Sequence, residues 1–535
     1  MWALRDRKPS DAVPAVLDLN ADFQTALAAL ERDAGHVFIT GRAGTGKSTL
    51  LKHFLAQTDL NVAVLAPTGV AALNVGGQTI HSFFGFKPGI TVQDARKKGL
   101  KPSNADLIDT VDLIVIDEAS MVRADLLDCV DAFLKAARGQ ESEPFGGVRL
   151  AFIGDLYQLP PVVNREEQAF FQERYPTPYF FSSQAMAQVI ARKELRLIEL
   201  STVYRQKDRH FLDILNTVRN KTLDRDLFAK LNSRVDPVES HWPPDAIHLV
   251  ATNAEAEEVN ESRLDRLPGK GQTYYAFAKG GFDKSSYPTA TELTLKPGCA
   301  VMFLNNDAYG RWVNGSLGTV TAVGDESAWV KMADSGTVYE VDPHTWEMTS
   351  YRYDQTSKSL AKDTVGSFRQ IPVFLAWAIT VHKSQGKTFD KVVADLSRSF
   401  APGQAYVALS RCTKLEGLTL KKPLLAGGVK LDERIVKFLT QFQFDQAHDK
   451  LGLDDRLKLL KKAAKLGHRV KITYLRDRDE KSTRVIRPEI VGEMHHQGAT
   501  FAGVKGFCET FQAVRTFKVG NILEMEDLGP IEKTK

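Results

Sequence analysis

Cysteine is scarce in this chain, with four among 535 residues, at Cys129, Cys299, Cys412 and Cys508. No two of them lie at zinc-ligand spacing, and so few thiols exclude a disulfide framework; reduced thiols in a cytosol are expected. Long apolar runs are missing too. No stretch approaches the roughly 18 apolar residues of a membrane span, and the opening MWALRDRKPSDAVP lacks the apolar core of a secretory leader, so a soluble protein without a membrane partner is expected. An excess of one charge is lacking as well. Seventy Lys and Arg stand against 66 Asp and Glu, a formal charge of +4. That excludes a strong overall field drawing the chain to polyanions and makes any nucleic-acid surface a local one. The sequence carries no internal repeat and no low-complexity tract. What is left, 43% hydrophobic and 25% charged, is an ordinary globular composition. The length exceeds the ~250–300 residues at which one core stops growing, so three or four domains are expected.

Apolar strands punctuate the first part. VFIT (37–40) runs into a Gly-rich turn, and NVAVLAP (61–67), DLIVIDE (112–118) and RLAFIGD (149–155) each end in polar residues and are separated by helical patterns. This is the pattern of a parallel, doubly wound α/β sheet. A second set, IHLVATN (247–253), FLAWAIT (374–380) and KVVADL (391–396), predicts a second α/β domain after residue 200. From 295 onward short strands with Gly and Asp turns read as a small β-barrel inserted into it. The basic helix DRLKLLKKAAKLGHR (455–469) marks a boundary, and the strand-rich text beyond it is a terminal domain of its own.

The chemistry begins at GRAGTGKS, which matches the phosphate-binding loop G-x-x-x-x-G-K-[ST] and stands between a predicted strand and helix as the mechanism requires. Gly41, Ala43, Gly44, Thr45 and Gly46 offer backbone N–H groups to a β-phosphate. Lys47 reaches the β- and γ-phosphates, Ser48 can ligate Mg²⁺, and Thr49 continues the helix whose N-terminus adds positive potential. Asp117 and Glu118 end the strand LIVI at the C-terminal edge of the sheet, where such folds bind ligands. Asp117 is expected to hold the magnesium and Glu118 to orient and deprotonate the attacking water. Charge developing on the γ-phosphate needs further cations. Arg205 in STVYRQ and Arg411 in YVALSR both lie in the second α/β domain, from which each can reach across a cleft.

Taken in order, GRAGTGKS, APTGVAALNVGGQTIHSFF, VIDEAS, FIGDLYQLPPV, VYRQ, AITVHKSQGKTF and YVALSR resemble the motif series of superfamily 1B helicases, specifically the petite integration frequency (PIF) family and its RecD-like relatives. The resemblance spans residues 19 to 440. It implies two tandem RecA-like P-loop NTPase domains, 1–200 with a small wedge insertion near 86–106, and 201–450 with an SH3-like β-barrel near 295–370. ATP and Mg²⁺ are the implied cofactors. Gln24 is similar to the glutamine that reads adenine, and Asp155 and Gln158 resemble the motif that senses the γ-phosphate. Arg205 and Arg411 match the two arginines placed on that phosphate, and Gly386 falls in a loop that contacts nucleotide or strand. Pro67, Thr68 and Gly69 then face strand phosphates, while His81, Phe83 and Phe84 offer rings for stacking, worth ~1–3 kcal/mol per base, with a core role for one of the two phenylalanines as the open alternative. Thr380, His382 and Lys383 resemble a second grip. The family implies a monomeric DNA helicase moving 5′-to-3′ on single-stranded DNA and opening junctions with duplex, in replication, repair or recombination, in a bacterial cytosol or nucleoid. Residues 466–535 are similar to WYL domains, with the usual core represented loosely by Ile472, Thr473 and Tyr474, and with Arg484, Arg487 and Arg515 as a candidate patch.

Two rival readings carry different expectations. A small-molecule phosphotransferase shares the phosphate loop, but a second α/β domain with its own arginines argues against it. A non-catalytic clamp with a degenerate nucleotide site is opposed by the intact Lys47, Asp117, Glu118, Arg205 and Arg411.

Overall fold

Strands as apolar as HVFITG and LIVI are buried on both faces, and such strands require helices on either side of a parallel sheet. The computed structural model describes residues 19–530 apart from 33, 104, 207, 223–224, 283, 355–358, 398, 400, 477 and 497–498. The opening segment read above for a leader lies outside these residues. Six parallel strands form the first sheet, in the order Gln78–Thr79, Val62–Ala66, Leu113–Ile116, Arg149–Ile153, His36–Gly41 and Leu195–Leu200. Phe23, Leu30, Ile39, Leu51, Val115 and Ile153 meet in its core. A second parallel sheet of four strands follows, in the order Ala378–Thr380, Ile247–Val250, Val392–Ala394 and Leu418–Leu420. These are the two tandem RecA-like domains, with the nucleotide loop at the C-terminal edge of the first.

The stretch 86–106, which reads as basic loop, carries a helix at its centre. Thr91 caps the helix Val92–Gly99 by accepting from the Asp94 N–H, and Ala95 and Gly99 turn inward. A Cβ at Gly99 would come within 2.3 Å of the Phe133 carbonyl oxygen, on the helix Ala124–Arg138. Arg96, Lys97 and Lys98 face outward, so the basic character belongs to one exposed side of a packed helix.

The single element expected over 295–370 divides into two. Ala300–Phe303, Leu317–Val323, Ala328–Met332 and Val338–Val341 join Val373–Leu375 in an antiparallel sheet around Phe303, Trp312, Val320 and Val330. The long hairpin of His344–Asp354 and Ser359–Gln370 pairs instead with Phe277–Gly280. It lies on the first domain, where Tyr351 Oη accepts from the Val64 N–H at 3.1 Å and the Leu360 N–H donates to Asn61 Oδ1 at 3.2 Å.

Residues 431–535 cluster with 220–222 as a separate compact unit, so the helix Glu433–Lys450, placed by the sequence at the end of the second domain, belongs to that unit. Five antiparallel strands between 468 and 530 carry the helix Leu453–Leu466 on one face. Leu460, Val470, Ile472, Ile486, Val504 and Ile522 fill its core.

Candidate nucleotide cleft and strand-binding surface

The turn after His36–Gly41 needs residues that tolerate left-handed backbone, and Gly44 and Gly46 adopt φ of 82° and 86°. Gly46 caps the helix Lys47–Gln57. A Cβ on Gly44 would lie 2.4 Å from Cβ of Arg205, so the loop is pressed against the chain that carries the expected arginine. Lys47 Nζ folds back to donate to the Gly41 and Arg42 carbonyls at 2.7 and 3.0 Å. Burial lowers its pKa, opposed by Asp155, Glu118 and Asp117. Ser48 is exposed, Thr49 is half-buried, Ala43 is buried, and Thr45 is buried with its hydroxyl on the Arg42 carbonyl.

Asp117 is pushed up to about 7, first by burial and then by the neighbouring Glu118 carboxylate. Glu118 has a left-handed backbone with φ of 51°, and its own pKa is raised by burial against the pull of Lys47 and Arg411. Two adjacent buried carboxylates under-supplied with positive charge are a donor set that fits a divalent cation. No group of three or more His, Cys, Asp or Glu side chains among the described residues could hold a metal by itself.

Both expected arginines reach this place. Arg205 donates to the Gly386 carbonyl at 3.2 Å and the Ser410 carbonyl at 3.5 Å; burial lowers its pKa while Tyr406 and Glu118 raise it. Arg411 is 1% exposed and pushed down to about 9 by burial and by Arg205. Its terminal nitrogens rest on Ser410 Oγ at 2.8 Å and on the Lys387 and Ser384 carbonyls at 3.3 and 3.5 Å. Asp155 and Gln158 are buried side by side, Gln158 Nε2 donating to Asp155 Oδ2 at 3.4 Å. Gln24 is exposed on the first helix and donates to the Leu19 carbonyl.

Four residues in the cleft escaped the sequence reading. Gln385 Nε2 donates to Glu118 Oε2 at 2.8 Å and to Gln158 Oε1 at 3.3 Å. Tyr406 Oη accepts from the Ala43 N–H at 3.0 Å, joining the second domain to the phosphate loop. Tyr204 donates its N–H to the Gly44 carbonyl at 2.8 Å and packs edge-on against Phe23. Arg219 pairs with Asp155 at 3.4 Å and stacks 3.7 Å over the Tyr157 ring. The first three stand inside or beside quoted motifs and adjacency was a usable signal; Arg219 offered none.

The strand-binding expectations divide. Pro67, Thr68 and Gly69 are half-buried, and Thr68 Oγ1 accepts from the Ala71 N–H as a helix cap, which leaves only its proton for a phosphate. His81 is half-buried, its pKa lowered by burial and Arg123. For Phe83 and Phe84 the core alternative holds, and for both rings rather than one: they are 8% and 3% exposed, which corrects their reading as stacking platforms. Phe83 meets Tyr351 edge-on, and Phe84 stacks on Phe86 beside Phe133. Thr380 is likewise buried, its hydroxyl accepting from the Lys383 N–H at 3.2 Å. His382 is half-buried with its pKa lowered by burial, and Lys383 is exposed. In the C-terminal unit Arg476, Arg478, Arg484, Arg515 and Lys518 line a hollow of about 470 Å³. Arg487, grouped with Arg484 and Arg515 by the sequence, turns instead to Glu509 at 2.9 Å.

Comparison with known proteins agrees with this geometry. Residues 19–226 match the family model described as PIF1-like helicase. The chain is 32% identical to the ATP-dependent DNA helicase PIF1 of Xenopus laevis, covering 84% of this chain and 68% of that protein. It is also 32% identical to the ATP-dependent DNA helicase Pif1 of Bdellovibrio bacteriovorus, covering 80% and 93%. The solved structure of Bacteroides Pif1 in complex with ADP-AlF4 superposes with a TM-score of 0.73 at 35% identity, over 80% of this chain and 98% of that one. A structure of Bacteroides Pif1 bound to single-stranded DNA gives 0.57 at 34%, over 79% and 96%. With two RecA-like domains closing on one phosphate loop, and relatives matched over most of their length, the chain belongs to the PIF1-like helicase family of ATP-dependent DNA helicases.

Proposed function

We propose that this chain hydrolyses ATP in the cleft between its RecA-like domains and uses the resulting closure to walk 5′-to-3′ along single-stranded DNA, parting duplex at junctions. The observation that carries the reading is the meeting of Lys47, Asp117 and Glu118 from the first domain with Arg205 and Arg411 from the second. In the reaction water attacks the γ-phosphorus, its proton passes to Glu118, and the bond from phosphorus to the ADP oxygen breaks. Lys47 exchanges its loop carbonyls for phosphate oxygens, and Arg205 and Arg411 neutralise the charge that spreads over the γ-phosphoryl oxygens. Ser48 and Asp117 would hold Mg²⁺, which when bound would supply positive charge to the phosphates. Strand phosphates engage the surface around Thr68 and His81 in one domain and His382 and Lys383 in the other, so two grips alternate as the cleft opens and shuts.

Strand displacement on duplexes with 5′ or 3′ single-stranded overhangs tests the direction. Unwinding from the 5′ overhang alone is expected, and equal or reversed preference overturns the reading. Hydrolysis should rise many-fold with single-stranded DNA; an unstimulated rate would favour a small-molecule phosphotransferase.

A further inference from the structure

The loop that carries His382 and Lys383 continues into residues 384–387, and every catalytic group assigned above outside the phosphate loop and Asp117 is hydrogen-bonded to those four residues. Arg411 donates to the Ser384 and Lys387 carbonyls, and Arg205 donates to the Gly386 carbonyl. Glu118 and Gln158 both accept from the amide of Gln385. A water poised for attack must donate one hydrogen to the Glu118 carboxylate and be steadied by Gln158 with the other. The Gln385 NH2 group presents two hydrogens to the same two acceptors, so amide and water compete for them.

We propose that Gln385 is a positioning residue that holds the place of the attacking water and ties its release to the strand-binding loop. While residues 384–387 stay in the cleft, Glu118 has an amide hydrogen on the oxygen needed for the proton, and both arginines are engaged with backbone carbonyls. A strand phosphate taken by His382 or Lys383 draws the same short loop outward and withdraws the amide. Gly386 marks the pivot: its φ is 80°, and no heavy atom would lie within 4 Å of a Cβ there. Hydrolysis without DNA is thereby kept slow, and the strand gains control of the chemistry through one side chain.

The inference rests on Glu118 being the base, and the experiment separates the two. Gln385→Met, which keeps the shape and lacks the donors, and Gln385→Ala are compared with the unaltered full chain by ATP turnover, with and without saturating oligothymidylate. Glu118→Gln is the control. Without DNA, kcat should rise about tenfold in both Gln385 variants, the scale of one hydrogen bond to a charged group. With DNA, kcat and the KM for ATP should stay within about twofold, so the stimulation ratio falls about tenfold. A residue that only supports the fold would lower both rates together. An unchanged or reduced DNA-free kcat in both variants, with thermal unfolding unaltered, overturns the proposal. Turnover by Glu118→Gln would sink the assignment of the base instead, whatever the Gln385 variants do.

Discussion

Arg411 is the residue on which the proposed chemistry bears most directly. A guanidinium ordinarily stays at the surface, and this one is almost wholly enclosed, its pKa held down to about 9 by burial and by Arg205. Carbonyls and a hydroxyl satisfy it, and the carboxylates of Glu118 and Asp155 attract it without a direct bond. Neutral acceptors offset only part of the solvation such a cation loses, and an arriving anion would supply the rest. Arg411→Ala is therefore expected to leave ATP binding within a few-fold and to lower turnover by roughly 10³-fold or more, the range of arginine fingers. Nucleotide titration beside steady-state hydrolysis checks this, and normal turnover would refute the assignment. Lys47→Ala should abolish hydrolysis with the fold intact, because its Nζ bonds only carbonyls of its own loop; unfolding by circular dichroism separates lost chemistry from lost structure.

Between elements the decisive quantity is how closely backbones approach. Gly403, with φ of 75°, precedes the helix Gln404–Leu409, and a Cβ there would lie 2.3 Å from the Gln158 carbonyl and 2.4 Å from that of Tyr157. Gly403→Ala should push the helix bearing Tyr406 off the loop of Tyr157 and Gln158, lowering DNA-stimulated turnover at least tenfold for a modest loss of unfolding temperature. Strand packing yields a pH prediction as well. His36 accepts from the Leu150 N–H through Nδ1 and is lowered to about 4 by burial and Arg149. The fold therefore favours the neutral ring, whereas the unfolded chain takes up a proton near 6.5. Its stabilising contribution is complete above 6.5 and is lost as pH falls toward 4, on the order of 3 kcal/mol. Urea midpoints measured from pH 7 to 4.5 should drop, and His36→Asn, which keeps an acceptor, should flatten that limb. Strand periodicity and the loop motif made both parallel sheets and the turn between the first strand and its helix legible, because these signals are local. The sequence could not say where the hairpin 344–370 would lie. Its Tyr351 meets Phe83 edge-on from more than 260 positions away, which is why that ring turns out to be core, while Phe84 is enclosed by Phe86 and Phe133. The same distance hid Gln385, whose partners sit on another domain.

At the scale of the whole molecule, charge is nearly balanced, and a formal +4 spread over 535 residues cannot steer a polyanion from afar. Affinity for a strand must then come from a few phosphate contacts, and the salt dependence counts them. Each contact made to a single strand should contribute about 0.7 to the slope of log K against log salt. Lys383 is exposed on the loop that leads to Gln385, and Lys383→Ala should reduce the slope by about one such step while weakening binding equally for oligothymidylate and mixed sequence, since a phosphate carries no sequence information. Arg515→Gln, in the basic hollow of the C-terminal unit, makes the complementary measurement. A reduced slope there adds that hollow to the strand path, and an unchanged slope confines the path to the two RecA-like domains. Fluorescence anisotropy from 50 to 200 mM salt is sufficient for both. A flat response in the unaltered chain would remove phosphate gripping, and with it the alternating walk, because no field of the whole protein exists to take its place.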